Sequence, residues 1–137
     1  AERYHKELII AEVSMGFTME DYAAYERLAP SERKGMATRQ ELVDRIEFPM
    51  TKEGQRDFMK ELFRRLKQVP EHLARGFFYW EPAWIPVEGS GWATKSSLAY
   101  IEDPGPCGNE WANQALFDYE GHALPSLAAI RDYQPEI

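Results

Sequence analysis

The stretch GFFYWEPAWIP, residues 76–86, decides the fold that this sequence predicts. It opens as an unbroken apolar and aromatic run, which is typical of a strand buried on both faces. Pro82 lacks the N–H donor that a continuing strand needs, so the strand should end near Glu81. Two indole rings, Trp80 and Trp84, lie at this exit. Because sugar rings have apolar CH faces and polar rims, the group favours a carbohydrate ligand.

Core packing is the alternative explanation of these aromatic residues. For Phe77 and Phe78, inside the run, burial in the core is the better interpretation, because aromatic side chains are usually buried. Trp80 and Trp84 lie in a segment rich in tryptophan, proline and glycine, which is poor core material. For these two tryptophans the residues alone leave core packing and ligand binding open.

A second apolar run, ELIIAE at residues 7–12, predicts another strand buried on both faces, as in a parallel sheet. Glu12 stands at the carboxyl end of that strand, where desolvating an ionised carboxylate costs several kcal/mol. Catalytic groups lie at that end of the strands in barrels and open α/β sheets. Glu12 is therefore a candidate catalytic residue. The alternative is a carboxylate that pairs with an arginine or marks the exit of the strand to solvent.

Helical patterns fill the rest of the chain. Phe58, Leu62 and Leu66 recur at every fourth position, which predicts an amphipathic helix over residues 52–69. A long loop with little regular structure is expected from residue 85 to 112. Shorter helices are predicted over residues 18–28, 38–45 and 124–133. The order β-α-β-α indicates a βαβ unit with parallel strands, whose two strands need further neighbours to close a barrel.

Composition limits the classes of function. The 137 residues are 44% hydrophobic and 28% charged, which predicts one globular unit over residues 1–137. The net charge of −7 disfavours nucleic acid and anionic membranes as partners, and no apolar run reaches the ~20 residues of a membrane span. The single cysteine, Cys107, excludes an internal disulfide. His5, His72 and His122 lack the spacing of a metal site, and we expect no metal and no cofactor.

Several separate motifs resemble one enzyme family. FFYWEPAWIP at 77–86, SGWAT at 90–94 and WANQALFDYEGHALPSL at 111–127 closely resemble the C-terminal end of glycoside hydrolase family 53, the arabinogalactan endo-β-1,4-galactanases. RYHKELIIAEVSMGFT at 3–18 resembles strand 7 of that family, and FPMTKEGQRDFM at 48–59 resembles the start of its helix 7. The resemblance covers essentially the whole chain, with the motifs in the order of the family.

The resemblance implies both a fold and roles for single residues. The fold would be α/β, the C-terminal part of a (β/α)8 TIM barrel from strand 7 to helix 8, which is incomplete as an isolated chain. The family has catalytic glutamates at the ends of strands 4 and 7, so Glu12 is implied to be the nucleophile. Trp80 is implied to form the aromatic floor for the sugar at the cleavage site, and Trp92 a further stacking platform. Three more family positions would shape the substrate site: Glu81, Trp84 and Asn113.

The second catalytic carboxyl group is missing from this chain. A retaining glycosidase holds its two carboxyl groups about 5–5.5 Å apart. The resemblance implies that the acid/base lies on strand 4, in an Asn-Glu pair outside residues 1–137. Asn109 and Glu110 form such a pair, but they align with the loop after strand 8 and are not assigned that role. Residues 19–25 lack the alternating aspartate and glycine of the calcium loop found in some members, so we expect no calcium there.

Three functions follow from these observations. The resemblance favours hydrolysis of β-1,4-galactosidic bonds in (arabino)galactan or galacto-oligosaccharides, with the isolated chain poorly active or inactive. A non-catalytic carbohydrate-binding module would keep the aromatic residues but has no need of Glu12. A half-barrel assembly module would pair its sheet edges with another copy or with the N-terminal part of a barrel. The usual secretion of the family implies an extracellular or cell-surface location, although no signal-peptide core follows residues 1–6.

Overall fold

The computed structural model describes residues 2–20, 40–85, 94–100 and 111–133. Within these ranges the strands are β1 (Leu8–Val13) and β2 (Ala74–Tyr79). The α-helices are α1 (Gln40–Val43), α2 (Lys52–Lys67), α3 (Lys95–Tyr100) and α4 (Pro125–Arg131). Short 3-10 turns lie at Glu2–Tyr4, Pro70–His72 and Ala112–Gln114. No helix in the described ranges is long and apolar enough to cross a membrane.

The sheet holds the carboxyl ends of β1 and β2 side by side. The two strands are parallel, and their paired residues run from Leu8 opposite Ala74 to Val13 opposite Tyr79. Parallel neighbours need a crossover connection, and α2 provides it and packs against both β2 and α4. The predicted βαβ order with parallel strands is therefore confirmed. One consequence is that the segments following the two strands leave the sheet at the same edge, called here the carboxyl edge.

The start and end of α2 follow sequence signals. Thr51 is the N-cap, and its hydroxyl accepts a hydrogen bond from the backbone N–H of Gly54 at 3.0 Å. In the last turns Arg64 and Arg65 both donate to the carboxylate of Glu61. These hydrogen bonds lower the pKa of Glu61 to about 2. Positive charge near the C-terminus also complements the helix dipole, so the predicted helix forms almost over its predicted range.

The buried face of α2 is not centred where the apolar repeat predicts. Phe58 and Leu62 are only half-buried. The apolar side chains that α2 buries are Met59, Phe63 and Leu66. Gln55 lies on the same stripe, one turn before Met59, and is 0% exposed. The apolar repeat is thus confirmed at Leu66, while Phe58 and Leu62 lie at the half-buried margin of the stripe and Gln55 extends it by one turn.

α4 packs against α2, which in turn contacts β2. Pro125 occupies its first position, where the missing N–H leaves no acceptor unsatisfied, as the sequence predicts. Just beyond the helix, the ring of Tyr133 stacks on Phe63 with centroids 4.3 Å apart. Phe63 in turn contacts Phe77 of β2, with ring centroids 5.6 Å apart. This aromatic column joins the second helix, the second strand and the end of α4.

The strands are not buried on both faces, contrary to their apolar sequences. Ile9 is 54% exposed and Phe78 is 65% exposed, and Glu12 is exposed as well. In the described part of the chain the sheet has two strands, and the helix that contacts it is α2, on β2. An apolar strand composition predicts burial, but burial needs an element that covers the strand. The desolvation argument for Glu12 therefore does not hold in this structure.

Two further predictions change in detail. The segment from residue 85 to 112 was expected to lack regular structure, yet α3 forms within it because Lys95–Tyr100 contains no glycine or proline. The predicted helix over 18–28 lies mostly outside the described residues. Thr18 does accept a hydrogen bond from the amide of Glu20 at 3.0 Å, as an N-cap would. Of the helix predicted over 38–45, the described part is α1.

Gly54, the single glycine of α2, should be sensitive to substitution. A Cβ atom at this position would lie 1.9 Å from the carbonyl oxygen of Pro49. In an unobstructed helix, glycine to alanine stabilises by about 0.5–1 kcal/mol. Here we predict that Gly54→Ala lowers the free energy of unfolding by about 1–3 kcal/mol, measured by urea denaturation. Lys60→Ala, on the exposed face, serves as control and should stay within about 0.5 kcal/mol. A gain in stability from Gly54→Ala would contradict the close approach.

Candidate active site

Glu12 and Trp80 lie on neighbouring strands at the carboxyl edge. Glu12 is the penultimate residue of β1, and Trp80 follows the last residue of β2. The backbone N–H of Trp80 donates to the carbonyl oxygen of Val13 at 2.8 Å, which extends the strand pairing to the exit. Neighbouring strands are about 4.8 Å apart, so the two strand ends that carry Glu12 and Trp80 lie side by side, and Trp80 is 45% exposed. Both residues are accessible to a ligand.

The segment after β2 leaves the sheet through a strained turn. Glu81 has a φ of 51°, a left-handed conformation that costs a residue with a Cβ about 1–2 kcal/mol. Such strain concentrates at functional sites. The carbonyl oxygen of Pro82 accepts a hydrogen bond from the amide of Leu116 at 2.8 Å, and Trp84 is half-buried. The turn is therefore fastened to the segment that follows Trp111, while Trp92 lies outside the described residues.

Asn113 contacts the loop that follows β1, called here the exit loop, residues 14–18. Its side chain is 0% exposed. Its backbone carbonyl accepts from the amide of Phe17 at 2.8 Å, and its Nδ2 donates to the carbonyl of Thr18 at 3.4 Å. Its Oδ1 atom is buried without a hydrogen-bond partner among the described residues. Asn113 is thus placed to shape the exit loop rather than to lie on an open surface.

Gln55 is a buried residue of this region that the sequence pattern does not reveal. Its Nε2 donates to the carbonyl oxygens of Met15 at 2.8 Å and Ala115 at 2.9 Å. Its Oε1 accepts a hydrogen bond from the hydroxyl of Ser126 at the start of α4. The side-chain amide of Gln55 therefore joins α2 to the exit loop, to the segment that follows Trp111 and to α4. The only sign in the sequence is a glutamine one helical turn before the buried Met59.

Tyr79, the last residue of β2, completes the same network. Its hydroxyl donates to the carbonyl oxygen of Gln114 at 2.7 Å and lies 3.3 Å from the backbone N–H of Met15. Burial raises the pKa of Tyr79 to about 12, so the hydroxyl keeps its proton at neutral pH. The hydroxyl of Ser14 donates to the side-chain oxygen of Gln114. With Asn113 and Gln55, Tyr79 and Gln114 bring to four the side chains from outside the exit loop that bond to it.

Asp118, Glu120 and His122 form a carboxylate and histidine cluster whose ligand atoms lie within 4.8 Å of one another. The carboxylate of Asp118 is already satisfied. It accepts hydrogen bonds from Lys52 Nζ at 2.9 Å and from the backbone N–H groups of Glu120 at 3.2 Å and His122 at 2.8 Å. A neighbouring ammonium group opposes a second cation, so we assign the cluster to the turn. The calcium prediction for residues 19–25 falls mostly outside the described residues.

The Lys52–Asp118 pair should make stability depend on pH. The hydrogen bond from Lys52 lowers the pKa of Asp118 from its usual 3.8 to about 2. Because the folded-state pKa is depressed, the stabilisation is complete above about pH 5 and is lost as the pH falls towards 2. We predict that Asp118→Asn destabilises the protein at pH 7 and that this difference shrinks between pH 5 and 2, measured by urea unfolding. In a Lys52→Met background this pH dependence of stability should be weaker. If Asp118→Asn changed the free energy of unfolding equally at pH 7 and near pH 2, the assignment would be contradicted.

The family model described as Glycosyl hydrolase family 53 matches residues 1–130. The chain belongs to this family. It is 32% identical over 149 residues to the endo-β-1,4-galactanase of Bacillus subtilis (strain 168), which covers 96% of the chain and 32% of that relative. It is 31% identical over 131 residues to an uncharacterized protein in the bgaB 5′ region of Niallia circulans, covering 96% of the chain and 30% of that protein.

Solved structures confirm the fold. The GH53 catalytic domain of Ignisphaera aggregans superposes with a TM-score of 0.72 and 32% identity over 95% of this chain. A structure from a pair of fungal β-1,4-galactanases, at 24% identity and a TM-score of 0.52, agrees in fold over 97% of the chain. GH53 catalytic domains are (β/α)8 barrels, so the chain has the fold of their C-terminal part, from strand 7 to helix 8. It spans 31% and 30% of the lengths of these two structures.

Proposed function

We propose that this chain supplies the nucleophile-bearing part of an endo-β-1,4-galactanase, which hydrolyses β-1,4-galactosidic bonds in (arabino)galactan or galacto-oligosaccharides with retention. Membership of glycosyl hydrolase family 53 supports glycoside hydrolysis, and similarity to an endo-β-1,4-galactanase supports galactan as the substrate class. The observation that carries the proposal is the position of Glu12. It stands exposed at the carboxyl end of β1, next to the strand that ends at Trp80.

The proposed mechanism uses Glu12 in two displacements. Its carboxylate attacks the anomeric carbon, the glycosidic bond breaks, and a glycosyl-enzyme forms. A second carboxyl group, on strand 4 and outside this chain, protonates the leaving oxygen. It then removes a proton from the water that releases the sugar and frees Glu12. The two carboxyl groups of such a pair are about 5–5.5 Å apart.

The aromatic residues would bind the sugar. The exposed ring of Trp80 offers an apolar face for the CH side of a galactose unit beside Glu12. Trp84 and Trp92 would extend this surface, and Glu81 and Asn113 would shape it. Because the substrate is a polymer and the family is usually secreted, we also propose an extracellular or cell-surface location.

Assembly of half-barrels is the second candidate function. The observation that favours it is the exposure of Ile9, Phe78 and other apolar side chains on a two-stranded sheet. An uncovered apolar sheet face and an open edge favour association with further strands. Pairing with the N-terminal part of a barrel is compatible with hydrolysis, because it would supply the acid/base. A purely carbohydrate-binding module would bind galactan without needing Glu12.

Substitution of Glu12 tests the proposed role directly. We predict that Glu12→Gln lowers kcat on β-1,4-galactan by at least about a thousandfold in the full-length gene product that contains these residues, because the amide cannot attack the anomeric carbon. Binding of galacto-oligosaccharides should persist in calorimetry. Glu7→Gln, just before the other end of the same strand, is the matched control and should keep wild-type activity. Unchanged activity in Glu12→Gln would place the nucleophile elsewhere, and binding without hydrolysis in the wild type would favour the binding module.

The isolated 137-residue chain should not hydrolyse galactan at a measurable rate. Without a second carboxyl group, the leaving oxygen is not protonated, and general acid catalysis typically contributes about 10²–10⁴-fold. Release of reducing ends from β-1,4-galactan by the purified chain is the measurement. Hydrolysis that disappears with Glu12→Gln would contradict this prediction, because it would show that the chain, or an assembly of its copies, carries a complete catalytic pair.

A further inference from the structure

We propose that Gln55 and Tyr79 are positioning residues for the reaction, which fix the exit loop and thereby the carboxylate of Glu12. This inference rests on the proposed role of Glu12. Gln55 is buried and Tyr79 is largely covered, and both bond to the backbone of the exit loop. The proposal depends on a buried network that reaches Met15, three residues beyond the candidate nucleophile.

Strand pairing ends one residue beyond the candidate nucleophile. The last paired residues are Val13 and Tyr79, and one further backbone bond joins Trp80 to Val13. Beyond that point the exit loop has no strand partner in the described part of the chain. The position of a carboxylate at the end of a two-stranded sheet depends on how firmly the following loop is held. Other groups must therefore hold the loop.

Side chains provide that hold. The side-chain amide of Gln55 donates to the carbonyl oxygen of Met15 at 2.8 Å. The backbone N–H of Met15 donates to the hydroxyl oxygen of Tyr79 at 3.3 Å. Both polar groups of the Met15 peptide region are thus satisfied by side chains from α2 and β2. Gln55 and Met15 are both buried, so water does not compete for these bonds. The loop is consequently fixed against the helix and the second strand at one residue.

The network also couples the two loops of the carboxyl edge. Gln55 donates to the carbonyl oxygen of Ala115, and Tyr79 donates to that of Gln114, so both side chains join the exit loop to the segment that follows Trp111. The exit loop follows Glu12. The segment that follows Trp111 is bonded to the turn after Trp80, because the amide of Leu116 donates to the carbonyl oxygen of Pro82. Gln55 and Tyr79 therefore set the nucleophile side of the site relative to the sugar-platform side.

A polar cluster in the core must offset the cost of removing it from water. An apolar side chain of similar volume at position 55 would fill the space but leave the carbonyl oxygens of Met15 and Ala115 without this donor. The structure thus uses a buried amide where packing alone would accept Met or Leu, which suits a role in placing the loops. Misplacement of a reacting group by about 1 Å can cost about 10²-fold in rate.

The test compares three variants of the full-length gene product. Gln55→Met keeps the volume and removes the hydrogen bonds, and Tyr79→Phe removes only the hydroxyl. Gln68→Met, at the exposed C-cap of α2, is the matched control. Kinetics on a chromogenic galacto-oligosaccharide are measured well below the thermal midpoint of each variant. We expect kcat to fall about 10- to 100-fold in Gln55→Met and several-fold in Tyr79→Phe, with KM within about threefold and the control unchanged.

A second readout separates positioning from simple loss of stability. A 2-deoxy-2-fluoro galactoside with a good leaving group allows the glycosyl-enzyme to accumulate, so its rate of formation per folded molecule can be followed by mass spectrometry. We expect this rate to fall by the same factor as kcat, because formation of the bond to Glu12 is the affected step. A lower thermal midpoint with unchanged kcat and labelling rate in both variants would overturn the proposal and leave a structural role.

Failure of this inference can be distinguished from failure of the proposed function. Glu12→Gln is measured beside the other variants. If it abolishes hydrolysis and labelling while Gln55→Met and Tyr79→Phe keep wild-type rates, Glu12 is the nucleophile and the positioning role is wrong. If Glu12→Gln keeps activity, the proposed function fails first and the inference that rests on it falls too.

Discussion

The hydrogen bonds made by the buried amide of Gln55 are the constraint on which the described fold depends. Two loop carbonyls, those of Met15 and Ala115, are turned into the protein, and a buried carbonyl without a donor costs about 1–3 kcal/mol. A single side chain from α2 satisfies both. This requirement fixes the rotation of α2 about its axis, because position 55 must face the carboxyl edge. Met59 follows on the same face and becomes core, while Phe58 stays half-buried.

α2 also approaches its own N-terminal connection closely. Gly54 precedes Gln55, and a Cβ atom there would meet the Pro49 carbonyl oxygen at 1.9 Å. Only glycine lets the chain turn this tightly into the helix while Thr51 still caps it. A residue that weakens helices in isolation is therefore required here by a tertiary contact. Helix propensity and the close contact with Pro49 have opposite effects at position 54, and the contact prevails.

Features set by local patterns were predictable from the sequence. The strand at Ala74–Tyr79 and the helix at Lys52–Lys67 follow from apolar runs and from a repeat near 3.6 residues. The burial of Gln55 was not predictable, because an apolar repeat gives no weight to a buried glutamine. Nor was the exposure of Ile9, since composition indicates what a strand suits and burial depends on what packs against it. The bonds of Gln55 join residues 40, 60 and 71 positions apart, a range that no local pattern reaches.

Some residues of the candidate site are recognisable from the local sequence, and others become apparent only from contacts between distant residues. Glu12 was predicted because a carboxylate at a strand end has a recognisable local setting, and Trp80 because aromatic residues at the exit of a strand do. The groups that would orient them are a glutamine and a tyrosine with no distinctive neighbours in the sequence. Strand pairing brings Glu12 and Trp80 to one edge but ends there, at Val13. The accuracy of the site must then come from side chains bonded to loop backbone, which makes Gln55 and Tyr79 as important for the geometry as the residues that would contact the sugar.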